Sequence, residues 1–215
     1  MMNRVSRMKR ILPSLFASLI AGTLLAQSID LPAPQKSGGM PLMDALAKRA
    51  TVREFDSREL PPGQLSSLLW ACFGINRPDG KRTAPSAKDN QETDIYVILK
   101  QGAFLYDAKA NALKLVLKAD VRSLAGTQDF ATNAPVTLVF VADQAKMGKW
   151  TPEEKRNYAY VDAGYISQNA YLFCASEGLV TGARASVDRK ALAAKLQLRP
   201  DQLIVLAQSI GYPKL

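Results

Sequence analysis

The amino-acid sequence predicts a single domain of the α+β class. Its 215 residues, 47% of them hydrophobic, are enough to bury one core. Helical and strand-like patterns alternate along the chain without a regular β-α-β rhythm, which favours α+β over a doubly wound parallel sheet. No internal repeat or low-complexity tract divides the sequence.

The start of the chain is typical of a secretory signal peptide, predicted for residues 1–26. Four basic residues precede an apolar run from Ile11 to Ala26. An uncleaved membrane anchor is the alternative, because Leu24 stands where a small residue is expected two positions before the cleavage site. Residues 27–40 contain two prolines and two glycines and predict an extended leader. The domain itself is assigned to residues 41–215.

Export would place the mature protein in the periplasm. Lys9-Arg10 is not the twin-arginine pair of proteins exported already folded, so the general secretory route is expected. Loss of four basic residues and no acidic ones would lower the formal net charge from +9 to +5. That charge, without a basic patch interleaved with aromatic residues, does not indicate a nucleic-acid partner.

The first half of the domain predicts two helices, a loop and three strands. Pro41 to Ala50 would bury Leu42, Ala45 and Leu46 on one helical face. A Pro-Pro-Gly entry at residues 61–63 starts a second amphipathic helix, which continues to Ile75. A loop rich in Arg, Pro, Gly, Lys and Ser follows. Apolar runs then predict a strand at 95–99 and a hairpin at 103–106 and 113–117.

The second half predicts three helices and two strands. Its strongest features are a fully buried strand at Pro135 to Ala142 and a long helix from Pro152 to Glu177, which Gly178 ends. Small residues in that helix would let another helix come close: Ala163, Gly164, Ser167 and Ala170. The remaining predictions are a short helix at 119–125, a turn-rich run at 179–188, a helix at 189–196 and a strand at 203–210.

The sequence contains no histidine. This excludes Ser/His and Cys/His catalytic arrangements and histidine-ligated metal sites. Cys72 and Cys174 are isolated within apolar helical segments, so they predict small core residues rather than a metal site or a redox Cys-x-x-Cys pair. A disulfide between them stays open.

Two arginines mark a candidate anion site. Arg49 and Arg53 are four residues apart with the hydroxyl of Thr51 between them, and guanidinium groups bind phosphate oxygens through paired, charge-assisted hydrogen bonds. The alternative is that they only oppose the dipole at the end of the preceding helix. On this stretch alone the dipole interpretation is favoured, and other segments change the balance.

Three segments, in this order, resemble the nitroreductase family of flavin enzymes. They are Arg49-Ala50-Thr51-Val52-Arg53-Glu54-Phe55, Arg82-Thr83-Ala84-Pro85-Ser86-Ala87, and Asp162 to Asn169 continued by Gly178 to Asp188. The first is similar to the family's Arg-x-Ser-x-Arg-x-Phe motif, with Thr51 in place of serine. The second resembles its Pro-Ser signature, most closely in the branch that includes the azoline-forming dehydrogenases. Gly211-Tyr212-Pro213 is the last segment of the sequence that resembles the family.

The resemblance implies an α+β homodimer with a central, mostly antiparallel sheet flanked by helices and FMN bound at the subunit interface. It implies that Arg49 and Arg53 contact the phosphate and the polar edge of the flavin, that Thr51 supplies a hydroxyl beside Ala50, and that Lys214 approaches the phosphate.

The same resemblance implies two further groups of flavin contacts. The partner subunit's copy of the Pro85-Ser86-Ala87 segment would lie against the isoalloxazine ring. Asp89 stands where many relatives carry an asparagine that contacts the pyrimidine edge, and Gln91 matches a common position of the family. Arg184, Ala185 and Ser186 would pass beside flavin N5, where a backbone N–H can donate to it.

The expected function is therefore an FMN-dependent oxidoreductase that delivers hydride to a small aromatic, nitro or quinone acceptor, with NAD(P)H or another reductant as donor. The flavin carries this chemistry, which agrees with the lack of acid–base residues. The alternative is an exported flavin-binding protein with little or no turnover, because the Asp89 carboxylate would repel a reduced, anionic flavin. Azoline oxidation is not predicted, since Trp150-Thr151 replaces the Lys-Tyr pair of that branch. Trp150 and Tyr165 are either substrate-facing or core aromatics.

Overall fold

A seven-stranded sheet forms the centre of the computed structural model, which describes residues 28–214. The predicted signal peptide lies outside the described residues. The strands are β1 (Ser28–Asp30), β2 (Thr93–Leu99), β3 (Gly102–Asp107), β4 (Ala112–Leu117), β5 (Val136–Asp143), β6 (Val180–Arg184) and β7 (Gln202–Gly211). Their spatial order is β1-β4-β3-β2-β5-β7-β6, and every neighbouring pair is antiparallel. The predicted α+β fold with an antiparallel sheet flanked by helices is confirmed.

Helices cover both faces of the sheet. They are α1 (Leu42–Lys48), α2 (Pro62–Phe73), α3 (Arg122–Ala125), α4 (Phe130–Asn133), α5 (Pro152–Ser176) and α6 (Arg189–Lys195), with short 3₁₀ turns at Ala87–Asp89 and Gln144–Met147. The larger core packs α2 and α5 on one face, and a smaller core packs α3 and α6 on the other. None of the helices within residues 28–214 has the length and apolar character needed to cross a bilayer.

Strand β5 lies between the two cores and is buried along its whole length. Leu138 and Phe140 point into the α2–α5 core, whereas Val139 and Val141 point into the α6 core. This alternation follows from the two-residue period of a strand. It explains why the strand is almost continuously apolar, as predicted.

The start of α5 is capped by a reciprocal pair of hydrogen bonds. The Glu154 N–H donates to Thr151 Oγ1 at 3.2 Å, and the Thr151 N–H donates to Glu154 Oε2 at 2.8 Å. Replacing Thr151 with alanine is expected to lower the free energy of unfolding by about 1 kcal/mol, the usual value of such a cap. Urea denaturation measures this change in the free energy of unfolding, and Ser57→Ala, at an exposed serine, is the control. Equal loss in both variants would contradict the capping role.

Three local predictions differ from the structure. Only Ala45 of α1 is buried, while Leu42 is 62% and Leu46 43% exposed, so the buried face predicted for this helix is not covered within the chain. The run at 179–188 contains β6, which pairs with β7 at the sheet edge. The helix predicted at 119–125 is only the four-residue α3.

The predicted extended leader is tied to the sheet. β1 pairs with β4, and the Leu31 N–H donates to the Asn111 carbonyl at 3.0 Å. Further along, the Met40 N–H donates to Ser176 Oγ on α5 at 2.7 Å. The backbone of this segment therefore finds partners in the domain, although its sequence has no strand periodicity.

Both cysteines are buried in the α2–α5 core, as predicted, and both are free thiols. Burial raises the pKa of Cys72 and of Cys174, which keeps both groups in the unreactive thiol form.

Candidate functional site

The first candidate group is the segment Thr51–Arg53, which lies across β6. The Val52 N–H donates to the Thr181 carbonyl at 2.9 Å. At Gly182, a Cβ atom would lie 3.1 Å from the Val52 carbonyl oxygen, closer than almost all real contacts of this kind. Glycine at this position thus allows the arginine-bearing segment to approach the strand.

Tyr171 on α5 holds this segment in place. Its hydroxyl lies 3.0 Å from Thr51 Oγ1 and accepts from the Ala183 N–H at 2.9 Å, and its ring lies 5.4 Å from the Arg49 guanidinium carbon. No sequence pattern indicates Tyr171 as a site residue, because nothing in its spacing distinguishes it from the other tyrosines of the long helix. A small pocket of about 80 Å³ adjoins it, lined in part by Ala50 and Val52.

Removing this hydroxyl tests the link between α5 and the arginine segment. Tyr171→Phe is expected to lower the free energy of unfolding by about 1 kcal/mol, because the half-buried Ala183 N–H loses its acceptor. Thermal and urea denaturation measure the change. Tyr160→Phe, at a tyrosine that is 49% exposed on the same helix, is the control and should have no effect. An equal effect of both variants would exclude a specific role for the Tyr171 hydroxyl.

Neither Arg49 nor Arg53 forms an ion pair with any residue between 28 and 214. Arg49 is half-buried and Arg53 is exposed. The Arg53 guanidinium carbon lies 5.9 Å from the centre of the Phe130 ring, and that of Arg184 lies 5.8 Å from the same ring. Phe130 was also missed, since it belongs to the four-residue helix α4 that no sequence pattern predicted.

The side chain of Arg184 points into the domain. It is 6% exposed, and its Nη1 and Nη2 atoms donate to Ser209 Oγ at 2.6 Å and the Ala125 carbonyl at 3.0 Å, leaving Nε without a partner. Burial lowers the pKa of Arg184 to about 10. Only its neighbours Ala185 and Ser186 are exposed at the surface.

The C-terminal segment lies beside the arginines. Phe55 and Pro213 form an isolated antiparallel bridge, and the Asp56 N–H donates to the Tyr212 carbonyl at 2.9 Å. Lys214 therefore continues alongside the arginine stretch, and it is exposed. The structure thus brings one group of predicted site residues together around β6: Arg49, Ala50, Thr51, Arg53, Arg184, Ala185, Ser186 and Lys214.

A second group forms around the 3₁₀ turn at Ala87–Asp89. Ser86 Oγ accepts from the Gln91 N–H at 2.9 Å, and the Ala87 N–H donates to Asp162 Oδ2 on α5 at 2.9 Å. Pro85 is exposed at the start of the turn.

The turn is unusual in its backbone conformation. Lys88, Asp89 and Gln91 have positive φ angles of 51°, 55° and 47°. Gln91 is held by Arg82, whose Nε donates to its Oε1 at 2.8 Å, while its own Nε2 donates to Asp89 Oδ1 at 3.1 Å. Residues with side chains seldom adopt this region, so the turn depends on these contacts for its shape.

The two groups lie on opposite flanks of α5. Asp162 and Tyr171 are nine residues apart, which in an α-helix is roughly 13 Å along the axis and two and a half turns. The same helix carries exposed apolar side chains, among them Tyr158, Val161 and Tyr165, each at least 44% exposed. Within one chain, therefore, the helix separates the second group from the first.

Trp150 belongs to the second group. Its ring centre lies 4.8 Å from that of Tyr158, and the Lys88 ammonium lies 5.0 Å from it. Trp150 is partly exposed and Tyr165 is 48% exposed, so neither is a core residue of the single chain.

A cleft of about 580 Å³ lies between residues 35–40 and helices α1, α2 and α5. Trp70, Asn169 and Phe173 contribute to its walls. None of the predicted site residues lines it.

Comparison with known proteins identifies the family. The model of the nitroreductase family matches residues 46–212. A protein of Methanocaldococcus jannaschii, named as a nitroreductase, is 30% identical over 150 residues, which cover 65% of this chain and 76% of that protein.

Solved structures agree with this match. A protein of Ralstonia eutropha JMP134, named as a nitroreductase, is 42% identical with a TM-score of 0.83, covering 87% of this chain and 90% of its own. A protein of Staphylococcus epidermidis, named as an NAD(P)H:FMN oxidoreductase, shares the fold at 15% identity and a TM-score of 0.63, covering 85% of this chain and 92% of its own. The chain belongs to the nitroreductase family of oxidoreductases.

Proposed function

We propose that the protein is a homodimeric, FMN-dependent oxidoreductase that reduces a small aromatic, nitro or quinone compound by two electrons. One observation carries the proposal: the two groups of candidate site residues lie on opposite flanks of α5, and this helix also carries a stripe of exposed apolar side chains. A second copy packed along this stripe can add its Pro85–Ala87 turn to the arginine group of the first.

The residues of the first group suit the phosphate end of FMN. Arg49 and Arg53 have no acidic partner within the described chain, and Lys214 lies beside them. Paired guanidinium groups free of carboxylates favour a dianionic phosphate. The Thr51 hydroxyl, oriented by Tyr171, adds a neutral hydrogen-bonding group.

The remaining residues suit the ring end. Exposed Ala185 and Ser186 follow β6 and offer backbone N–H groups, and Pro85 presents a flat, apolar surface to the partner's ring. When bound, FMN would supply a two-electron carrier that accepts and donates hydride at N5. The protein's part is to bind the cofactor, orient it and leave one face open to the acceptor.

The exposed apolar residues of α1 support the homodimer. Leu42, Met43 and Leu46 are 62%, 74% and 43% exposed, and the stripe on α5 adds three further residues. Large apolar side chains exposed in this number on a folded chain favour a protein interface. The partner would then cover the α1 face that the sequence predicts to be buried.

The electron donor, the branch and the location belong to the same proposal. NAD(P)H is proposed as donor on the family membership, together with the name of the Staphylococcus epidermidis protein of the same fold. The azoline-dehydrogenase branch is proposed from the Arg82–Ala87 segment. The periplasm is proposed from the signal-peptide pattern, with a membrane anchor if that segment is not cleaved.

An absorption spectrum tests the proposal directly. The purified protein is mixed with FMN and passed through gel filtration, and we expect flavin bands to elute with protein at the size of a dimer. Protein that stays colourless and cannot be reconstituted with FMN would refute the proposed function.

The exposed Asp89 carboxylate favours a second candidate function, flavin binding with little or no turnover. Steady oxidation of NADH or NADPH in the presence of a quinone or nitro acceptor would exclude this second candidate. Stable FMN binding without such turnover would favour it.

A further inference from the structure

We infer that Glu92 and Asp162 form a positioning pair, which shapes the Pro85–Ala87 turn through one shared proton and releases the turn when that proton is lost. The inference rests on the proposed function, in which this turn contacts the cofactor bound to the partner. Neither residue is proposed to touch the flavin itself.

The pair is almost completely enclosed. Glu92 is 0% exposed and Asp162 is 2% exposed, and the Asp162 carboxyl lies close enough to Glu92 to raise the pKa of Glu92. Asp162 Oδ2 accepts from the Ala87 N–H at 2.9 Å. The Glu92 side chain makes one long contact, from Thr93 Oγ1 to Oε1 at 3.5 Å, and its buried Oε2 has no hydrogen-bond partner within residues 28–214, so Oε2 is the atom that can carry a proton toward Asp162. The acid pair is thus attached directly to the backbone of the turn.

No basic side chain neutralises the pair within residues 28–214. The charged groups on the surrounding elements are engaged elsewhere: Lys88 lies over Trp150, Arg82 binds Gln91, Asp89 accepts from Gln91, Asp94 pairs with Lys146, Asp143 pairs with Arg199, and Lys155 donates to the Gln144 carbonyl. Two ionised carboxylates in this environment would repel each other strongly.

The pair therefore holds the proton below about pH 7 and loses it above that pH. Burial raises the pKa of Glu92 from 4.5 to about 7, and the neighbouring Asp162 adds to the rise. Burial also raises the pKa of Asp162, against the opposing effect of the hydrogen bond from the Ala87 N–H. Because the two groups interact, they titrate as a unit.

The two protonation states differ in what they do to the turn. With one proton, the Glu92 O–H donates to Asp162, whose Oδ2 accepts from the Ala87 N–H. When that proton leaves to solvent, two buried negative charges repel, and separating them draws Asp162 away from Ala87. The turn then loses an anchor, although Lys88 and Asp89 hold strained positive-φ conformations that need one.

Hydrogen exchange of the Ala87 amide tests the pair without any cofactor. We expect the protection factor of the segment around Ala87 to fall roughly ten-fold from pH 6.5 to pH 8.5, as the anchored population falls. In Glu92→Gln, whose amide replaces the O–H donor at every pH, the protection should stay constant. Asp94→Asn, an equal change of charge in the exposed ion pair on β2, is the matched control and should keep the wild-type decline.

Two results would overturn the inference. One is a protection factor for Ala87 that is unchanged between the two pH values in the wild type, and the other is a decline that persists in Glu92→Gln. Asp162→Asn gives a second route if Glu92→Gln fails to fold, because it also removes the charge pair and should abolish the decline.

The dissociation constant of FMN then tests the link to the cofactor. It should rise between pH 6.5 and pH 8.5 in the wild type and in Asp94→Asn, and clearly less in Glu92→Gln. Equal pH dependence in all three proteins would refute the positioning role, while leaving the proposed function intact. Failure of every variant and the wild type to bind FMN would refute the proposed function, and the exchange experiment would still decide whether the pair holds the turn.

Discussion

Replacing Glu92 with glutamine is expected to raise the free energy of unfolding by roughly 2–3 kcal/mol at pH 8 and to change it little at pH 4. Burial and the Asp162 carboxylate raise the pKa of Glu92 from 4.5 to about 7 in the folded protein. Each unit of such a shift corresponds to about 1.4 kcal/mol. Glutamine is neutral at every pH, so it escapes the cost of burying a second charge.

The sign follows from proton binding. Between pH 4.5 and about 7 the folded protein holds a proton on Glu92 that the unfolded chain has released, so the stability of the wild type falls as the pH rises through this range. Above about pH 7 the wild type has lost all of this contribution to its stability. Urea denaturation at pH 4, 6 and 8 measures the difference, with Asp94→Asn as control. If the difference in free energy of unfolding between the wild type and Glu92→Gln is the same at pH 8 as at pH 4, folding does not raise the pKa of Glu92.

Replacing Arg53 with alanine is expected to weaken FMN binding by roughly 1.5–3 kcal/mol, the value of a charge-assisted hydrogen bond to a bound phosphate. Arg53 is exposed and has no acidic partner within residues 28–214, so its removal breaks no ion pair of the fold and leaves no buried charge. Fluorescence titration of the apoprotein with FMN gives the dissociation constant.

Riboflavin, which is FMN without the phosphate, distinguishes contacts to the phosphate from contacts to the ring. If Arg53 binds the phosphate, Arg53→Ala should change riboflavin affinity much less than FMN affinity. Lys190→Ala, which removes one positive charge from the exposed face of α6, controls for the general electrostatic effect. An FMN dissociation constant that is the same in Arg53→Ala and the wild type would mean that the phosphate is held elsewhere.

Elements with clear end signals or a continuous apolar run were predictable from the sequence. The long helix α5 and the buried strand β5 were expected within about two residues of their observed bounds, because Pro152 and Gly178 mark the ends of the helix and the strand is almost continuously apolar. Strand β6 was not predicted, because it contains Gly182 and polar residues instead of an apolar run. These residues allow β6 to pair with β7 and to lie close to the arginine segment. The buried face predicted for α1 is exposed, because periodicity identifies an apolar face but not what covers it.

The candidate site was predictable as a set of segments and not as a geometry. The family motifs identified the arginine stretch and the Pro85–Ala87 turn, and the structure puts them on opposite flanks of α5. The contact of Tyr171 with Thr51 and the hydrogen bond from the Ala87 N–H to Asp162 had no signal, because each depends on a side chain meeting a partner more than 60 residues away. The inward turn of the Arg184 side chain likewise depends on Ser209 of the neighbouring strand.

The separation of the two groups by α5 has a consequence for mass action. In the proposed dimer, one chain provides the arginines and the other provides the turn, so each flavin bridges two chains. Cofactor binding and self-association are then linked equilibria, and each must strengthen the other by the same factor. The apparent affinity for FMN would depend on how much protein is present, and dilution alone would release the cofactor.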